Sequence, residues 1–568
     1  MKKFLSIVIF IILLTGCIST FAEESEWICT VCSTSNTTKF CTKCGTKRPD
    51  VIVCSQCGTQ YPVDTDVVFC GECGTKLQQD ADLPKYEGNG FNTPEDAALC
   101  YLAGIKNLNF DQILSAFAWE TQVDHFDYKA HITRAKGTDP TYVPGMPAAN
   151  ALLRSAMLEQ LRDEQINAIC RAIELYVNDE LLTSGRPTLM FKTEDEIEEY
   201  FQRCDNGKIE NLATMENIRF YTSDDLTEGL FSSDKVQRNY LRQNAKYGAD
   251  EIKDMIVAAD IGENTIIIAP TVARYGAQWY LVNVFSTTQS ILGIESNRNA
   301  FYVLPEDLKN RLKDSTAKTV VKDLPIYSES TTHYEGEGFN SPYDAVCCYF
   351  EGLKNNNMQQ MLQAFAWETQ ASNYSLKDYL LWMRSLNFSS PIRMQATNAF
   401  MTDMNLGALR YLQSKRIYSS IRNYMLKDAM QYKDLLDGYR INLQTEEEID
   451  AFIDAFNNGR INNLKDLHNI RTIDPATIIK HYDIDSVRKQ LEKYKHIYGA
   501  DEIKESLAIA SLNGETLVFD PILARYGDKW YIVALNGIAF SILGIDINHQ
   551  AFMTLDGSFE LALLLLQP

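Results

Sequence analysis

Eight of the chain's 14 cysteines fall into four CxxC pairs: Cys29/Cys32, Cys41/Cys44, Cys54/Cys57 and Cys70/Cys73. Three of the pairs are followed by glycine, at Gly45, Gly58 and Gly74. Two thiolates at this spacing on a tight turn present both sulfurs to one ion; backbone N–H groups donate to the sulfurs, and glycine permits the turn. Two such turns close a tetrahedral site of four thiolates. The spacings CxxC-x8-CxxC and CxxC-x12-CxxC make sequential pairing the simplest arrangement and imply two structural Zn(2+) ions. A complete set of four thiolates leaves no position for water, so such a site holds a fold together rather than hydrolysing a substrate. Two other chemistries use the same residues. An even cysteine count in an exported chain also fits a disulfide framework, and a zinc–thiolate cluster can act as a redox sensor. The segment has too few apolar residues to fold without a staple.

The first four cysteines sit among Lys39, Lys43, Lys47 and Arg48, with no acid between Trp27 and Arg48. That reads as a solvated face, or as a contact for an anionic polymer or lipid headgroup. The cysteine segment resembles the DZANK-type double zinc ribbon over residues 27–77, with ribbon 1 at 27–49 and ribbon 2 at 52–77. Its first half, with Trp27, Asn36 and Lys47-Arg48-Pro49, is also similar to RanBP2-type fingers. Its spacer is shorter than theirs, so their RNA binding is not implied.

What must position this chemistry is a chain of 568 residues, 45% hydrophobic, which is enough material for several cores. The net charge of −21 disfavours general binding to phosphate backbones. At the start, Lys2 and Lys3 precede an apolar run, Phe4 to Leu14, that is too short to span a bilayer. This is a signal peptide over residues 1–22 with two exits. Leu14-Thr15-Gly16-Cys17, at 14–17, resembles the bacterial lipobox, which makes Cys17 the lipidated N-terminus of an envelope lipoprotein. Thr20-Phe21-Ala22 fits ordinary signal peptidase and a secreted product; an uncleaved N-terminal anchor is the third reading. All three take the chain out of the cytoplasm.

The rest of the sequence is written twice. Residues 86–122, YEGNGFNTPEDAALCYLAGIKNLNFDQILSAFAWETQ, return as 334–370, YEGEGFNSPYDAVCCYFEGLKNNNMQQMLQAFAWETQ, at a shift of 248 without a gap. Later matches include Thr193-Glu194-Asp195-Glu196-Ile197 with Thr445-Glu446-Glu447-Glu448-Ile449, Tyr247-Gly248-Ala249-Asp250-Glu251 with Tyr498-Gly499-Ala500-Asp501-Glu502, and Ala273-Arg274-Tyr275-Gly276 with Ala524-Arg525-Tyr526-Gly527. A period this long is a domain duplication rather than a solenoid. The expected domains are repeat 1 at 86–312, a Ser/Thr/Lys-rich linker at 313–333, and repeat 2 at 334–568.

Each repeat has one plan. Thr93-Pro94-Glu95-Asp96 and Ser341-Pro342-Tyr343-Asp344 are helix starts: a hydroxyl cap, proline in the first turn, then acid on the positive helix end. Ala98, Leu102 and Ile105 form an apolar stripe flanked by Ala97, Cys100, Tyr101 and Gly104. A second helix carries Ile113, Leu114 and Phe117 and is expected to end at Trp119-Glu120-Thr121, as its twin ends at Trp367-Glu368-Thr369. The middle is mostly helical, with a capping box from Thr193 to Glu196 and Gly207 as a stop. Then the period changes to strands at Met255–Ala259, Thr265–Ala269, Val272–Tyr275 and Trp279–Phe285, and Asn513-Gly514 marks a hairpin. The fold class is therefore α+β: an N-terminal double zinc ribbon, then two duplicated domains, each with N-terminal helices and a C-terminal antiparallel β-meander. The capped "TPEDA…YLAGIKN" helix, the "AFA" ending and the "ARYGDKWYIV" strand resemble NTF2-like (cystatin-like cone) domains. That family includes enzymes and binding modules, so the likeness selects no activity.

A catalytic constellation is not evident. The seven histidines have no His partner in the other repeat, and no HExxH, GxSxG or phosphate-loop pattern occurs. The internal cysteines Cys100, Cys170, Cys204, Cys347 and Cys348 read as core thiols. The weak catalytic candidates are Glu120 and Glu368, each beside a tryptophan that would desolvate it. Arg274 and Arg525 are candidates for a carboxylate ligand or for an internal acid or aromatic. Asp250-Glu251 and Asp501-Glu502 look like acids in the first turn of a helix. The expected role is a non-enzymatic binding or scaffold protein of the cell envelope, with two similar faces. Its partner is an unidentified protein or a small anionic ligand, and a membrane through Cys17. An enzyme using Glu120 or Glu368, and a zinc-linked redox sensor, are the rivals.

Overall fold

The computed structural model describes residues 27–28, 35–36, 43, 51–53, 60–62, 87–135, 146–177, 188–203, 207–222, 246–286, 302–303, 318–319, 335–387, 395–396, 398–429, 436–437, 440–441, 443, 445–457, 459–474, 484–539 and 551–556. The chain divides between Leu83 and Pro84 into two units. In the first, β1 (Trp27–Ile28) pairs antiparallel with β2 (Ser35–Asn36), and β3 (Val51–Val53) with β4 (Gln60–Pro62). In chain order a CxxC pair falls between the strands of each hairpin, Cys29/Cys32 in one and Cys54/Cys57 in the other.

The second unit is α+β. Its first half contains α1 (Pro94–Lys106), α2 (Phe110–Ser115), α3 (Glu120–His125), α4 (Tyr128–Ala135), α5 (Ala151–Val177), α6 (Glu194–Arg203) and α7 (Gly207–Glu210). Its second half contains α8 (Pro342–Lys354), α9 (Met358–Leu362), α10 (Glu368–Asn373), α11 (Leu376–Met383), α12 (Ala399–Ala429), α13 (Glu446–Asn457) and α14 (Ile484–Tyr498). The caps behave as the residue types require. Thr93 Oγ1 accepts the Asp96 N–H at 3.1 Å and Ser341 Oγ accepts that of Asp344 at 3.2 Å. The Thr193–Glu196 box closes in both directions, as does Thr445–Glu448. Ala97, Ala98, Cys100, Tyr101 and Ile105 are fully buried, so the apolar stripe of α1 is core.

The strands form one meander per half. In the first, β5 (Glu216–Thr222) pairs with β6 (Glu251–Ile261). The return strand is cut at Pro270 into β7 (Asn264–Ile268) and β8 (Thr271–Tyr275), because proline has no N–H for the ladder. Both pieces keep one register on β6, and β9 (Gln278–Asn283) pairs with β8. In the second half the cut falls at Pro521, and the partner strand also breaks at Ser506, so the sheet reads as two. The register still runs unbroken across the gap, from Glu502↔Arg525 to Ala508↔Phe519. Asn513-Gly514 makes the expected two-residue hairpin turn, both residues at positive φ.

Three local expectations are corrected. The second helix ends at Ser115, not at Trp119-Glu120-Thr121. Phe117 forms a bridge to Leu281 of β9, with Leu281 N–H to Ala116 O and Ala118 N–H to Leu281 O both at 2.9 Å, and Glu120 opens α3. The edge of the sheet needs hydrogen-bond partners, and this stretch supplies them. Gly207 starts α7 rather than stopping α6, and Gly459 likewise precedes a 3-10 turn. Glu251 and Glu502 begin strands, not helices, while Asp250 and Asp501 accept the N–H of Gly276 and Gly527 at 2.7 Å across the tight turn.

The two halves are joined by their longest helices. α5 and α12 lie side by side, and Gly407 is a point of close approach: a Cβ there would overlap Ile166 Cγ2. The neighbouring elements interlock reciprocally. Tyr128 of α4 packs on Phe452 and Phe456 of α13, while Lys377 and Arg384 around α11 pair with Glu198 and Glu194 of α6. A strand from each half, Thr188–Met190 and Ser385–Asn387, completes the exchange as an antiparallel ribbon.

Candidate binding site

Glu120 and Glu368 are the first residues of α3 and α10, half-buried, and each follows a tryptophan that is core. Trp119 donates its indole N–H to Leu114 O at 2.9 Å and stacks on Phe117; Trp367 repeats both contacts with Leu362 O and Phe365. Glu87 and Glu335, which the residue pattern alone does not single out, bond to the same two helices. Glu87 Oε2 accepts the Thr121 N–H at 2.8 Å and Oε1 accepts the Thr121 hydroxyl; Glu335 does the same for Thr369. Neither Trp119 nor Trp367 caps its helix with a side chain. A carboxylate from the Tyr-Glu-Gly start of each half therefore caps α3 and α10 from 34 residues away. Burial pushes the Glu335 carboxyl up, against the pull of the Thr369 bonds. The available signal is that YEG and WET recur together at one shift.

The other candidates have internal partners. Arg274 Nε meets Glu251 at 3.2 Å and Arg525 meets Glu502 at 3.0 Å, across adjacent strands. His125 Nδ1 lies 2.8 Å from Thr121 O, and burial holds the His131 imidazole below its usual range. Cys100 is buried against Gln112 O and Ser115; burial pushes its thiol up to about 11, which is the opposite of an activated nucleophile. Cys204, Cys17 and the eight paired cysteines lie outside the described residues. Among the described residues no group of three or more His, Cys, Asp or Glu could hold a metal, and no helix is long and apolar enough to cross a membrane.

The structure draws attention instead to the α5–α12 junction. At its centre Glu159 meets Arg410 at 2.5 Å, and Arg162 lies 3.7 Å from the same carboxylate. Arg410 also lies over the Trp367 ring, 5.7 Å from its centroid. Beside this cluster a cleft of about 500 Å³ opens between α5, α12 and the end of β9. Among the described residues, Arg171, Lys246, Lys415, Arg422 and Glu164 are the charged side chains that line it. Its floor is set by Gln165, whose Oε1 accepts the Val284 N–H at 3.0 Å, and by Tyr247, whose hydroxyl accepts from Asn283 at 3.1 Å. Lys246 and Lys415 rest over tyrosine rings, at 5.2 and 5.7 Å. A pocket of this size holds a small molecule. Both halves of the chain build it, and no sequence motif marks it, because its residues are scattered over several elements.

No protein-family model matches the chain, and no curated protein matches it. Among solved structures, the chain is similar to a cystatin-like protein from Ruminococcus gnavus, with a TM-score of 0.47 and 14% sequence identity over 82% of this chain and 93% of that one.

Proposed function

We propose that this is an exported, lipid-anchored cell-envelope protein with a non-enzymatic binding or scaffold role. Cys17 carries the lipid, and Cys29, Cys32, Cys41, Cys44, Cys54, Cys57, Cys70 and Cys73 hold two structural zinc ions as a double ribbon. The duplicated domains, of NTF2-like type, form the binding body. The observation that supports this reading is the reciprocal interlocking of the two halves about α5 and α12. It makes one body out of a duplicated sequence, while the repeated motif residues Trp119, Trp367, Glu87 and Glu335 are engaged in the core and in capping.

The test is complementation of a deletion strain. The double variant Glu120→Gln/Glu368→Gln, checked for unchanged melting temperature and zinc content, is expected to restore the wild-type envelope phenotype. Loss of complementation by this folded, zinc-replete variant would instead support acid–base catalysis by those carboxyls.

A further inference from the structure

We infer that the cleft between α5, α12 and the end of β9 binds a neutral, polyhydroxylated ligand of the sugar class. The inference rests on the reading of the two halves as one binding body, and it names the ligand class of that body. The charged groups of the wall are already engaged. Arg171, Arg422 and Glu164 each interact with other groups of the chain, and Lys246 and Lys415 lie over tyrosine rings at 5.2 and 5.7 Å. The groups that keep hydrogen-bonding capacity are uncharged. The Asn167 amide and the Ser419 hydroxyl line the cleft, half-buried, and neither makes a side-chain hydrogen bond among the described residues. Gln160, 4% exposed in the same wall, has an amide oxygen that accepts no hydrogen bond among the described residues. Gln165 commits its amide oxygen to the Val284 N–H at 3.0 Å and keeps its NH2 donors.

Amides and hydroxyls of this kind offer donors and acceptors side by side. An apolar ligand would leave them unpaired, and a simple anion brings acceptors only. A sugar carries hydroxyls that both donate and accept, on a ring whose C–H faces pack against aromatic carbon, and Tyr418 and Phe285 bring such carbon to the wall. The volume, about 500 Å³, lies in the range of small-molecule sites. The duplication sharpens the point. Asn167 and Lys415 are equivalent positions, 248 residues apart, as are Arg171 and Ser419, and all four line this one cleft. At each of the two positions one half brings a cation and the other a short uncharged polar group. Asn167 comes from the first half and Ser419 from the second, so the pair exists only because α5 and α12 are packed together.

A glycan-array screen of the full chain, followed by calorimetric titration of the hits, tests this. The expected result is saturable binding of a neutral saccharide at one site per chain, unchanged as ionic strength rises from about 0.01 to about 0.15 M, because no ion pair forms. Asn167→Ala and Ser419→Ala are each expected to weaken binding by about threefold to tenfold at unchanged melting temperature. Asn264→Ala, at the exposed start of β7, serves as the control and leaves binding unchanged. Absence of binding by any neutral saccharide at millimolar concentration, or binding that neither Asn167→Ala nor Ser419→Ala weakens, overturns the inference. So does a preference for inorganic pyrophosphate or citrate that fades with salt. The cleft and the scaffold reading fail separately. A saccharide that is bound and then hydrolysed would keep the ligand class and overturn the non-enzymatic reading, whereas absence of binding leaves the Glu120→Gln/Glu368→Gln complementation result untouched.

Discussion

Glu159 and Arg410 lie 251 residues apart in the chain and meet as an ion pair at 2.5 Å, each side chain 1% exposed. They come from equivalent long helices, yet they are not equivalent positions. The residue 248 after Glu159 is Gly407, and the one 248 before Arg410 is Arg162. The junction is therefore asymmetric at its centre: an acid on α5 answers an arginine on α12, and the missing side chain at Gly407 makes room for Ile166. Such an arrangement favours pairing of the two different halves over pairing of like with like.

Removing Arg410 takes the 2.5 Å partner from the buried Glu159 carboxylate and leaves it the longer contact with Arg162, at 3.7 Å. Arg410→Ala is expected to destabilise the protein by about 3–5 kcal/mol, read as a lower urea midpoint. Replacing both partners, as in Glu159→Met/Arg410→Met, is expected to recover most of that loss. A double variant no more stable than Arg410→Ala would show that the pair is not what the junction depends on.

Asp163 faces the same cluster, with Arg410, Glu159, Arg162 and Ser414 around it. Burial pushes its carboxyl from 3.8 to about 6, more than the arginines pull it down. Its folded value lies above its unfolded one, so between these two values the folded state holds the extra proton. Stability then falls as pH rises from about 4 to about 6, and the penalty stays in place above that. Asp163→Asn is expected to flatten the pH dependence of the unfolding free energy across this window. A pH profile parallel to that of the wild type would contradict the assignment.

The remote caps on α3 and α10 can be tested in either half. Glu87→Ala is expected to cost about 1–2 kcal/mol, and Glu335→Ala a similar amount, since both lose the same two bonds. In a double-mutant cycle, Thr121→Val adds little once Glu87 is gone. Fully additive losses would mean that the two residues stabilise the fold independently.

Much of this architecture is legible in the residue pattern, and the misses have physical causes. The hydroxyl–proline helix starts, the Thr193–Glu196 box and the Asn513-Gly514 turn are local signals, and each acts locally. The AFAWET stretch misleads because its apolar residues at helical spacing are also what a buried edge segment needs; the sheet's demand for partners at Leu281 decides the outcome. Asp250-Glu251 reads as a helix start because acids favour that position, whereas here Asp250 closes a turn that lies 26 residues on. Glu87, the α5–α12 ion pair and the cleft depend on contacts between distant segments, which no periodicity encodes. Glu120 and Glu368 stand out in the sequence through a neighbouring tryptophan, whereas Glu87 and Glu335, which accept from Thr121 and Thr369 34 residues away, do not.

The central claim, a lipid-anchored binding protein whose N-terminal cysteine segment holds two structural zinc ions, is tested most directly by native mass spectrometry of the full-length protein. The protein is extracted from its producing envelope in mild detergent, without chelator or reductant. The expected mass is that of a chain beginning at lipidated Cys17 with two zinc ions bound, both lost on acidification. A chain that begins after Ala22, or one without metal whose eight paired cysteines are joined as disulfides, would contradict it.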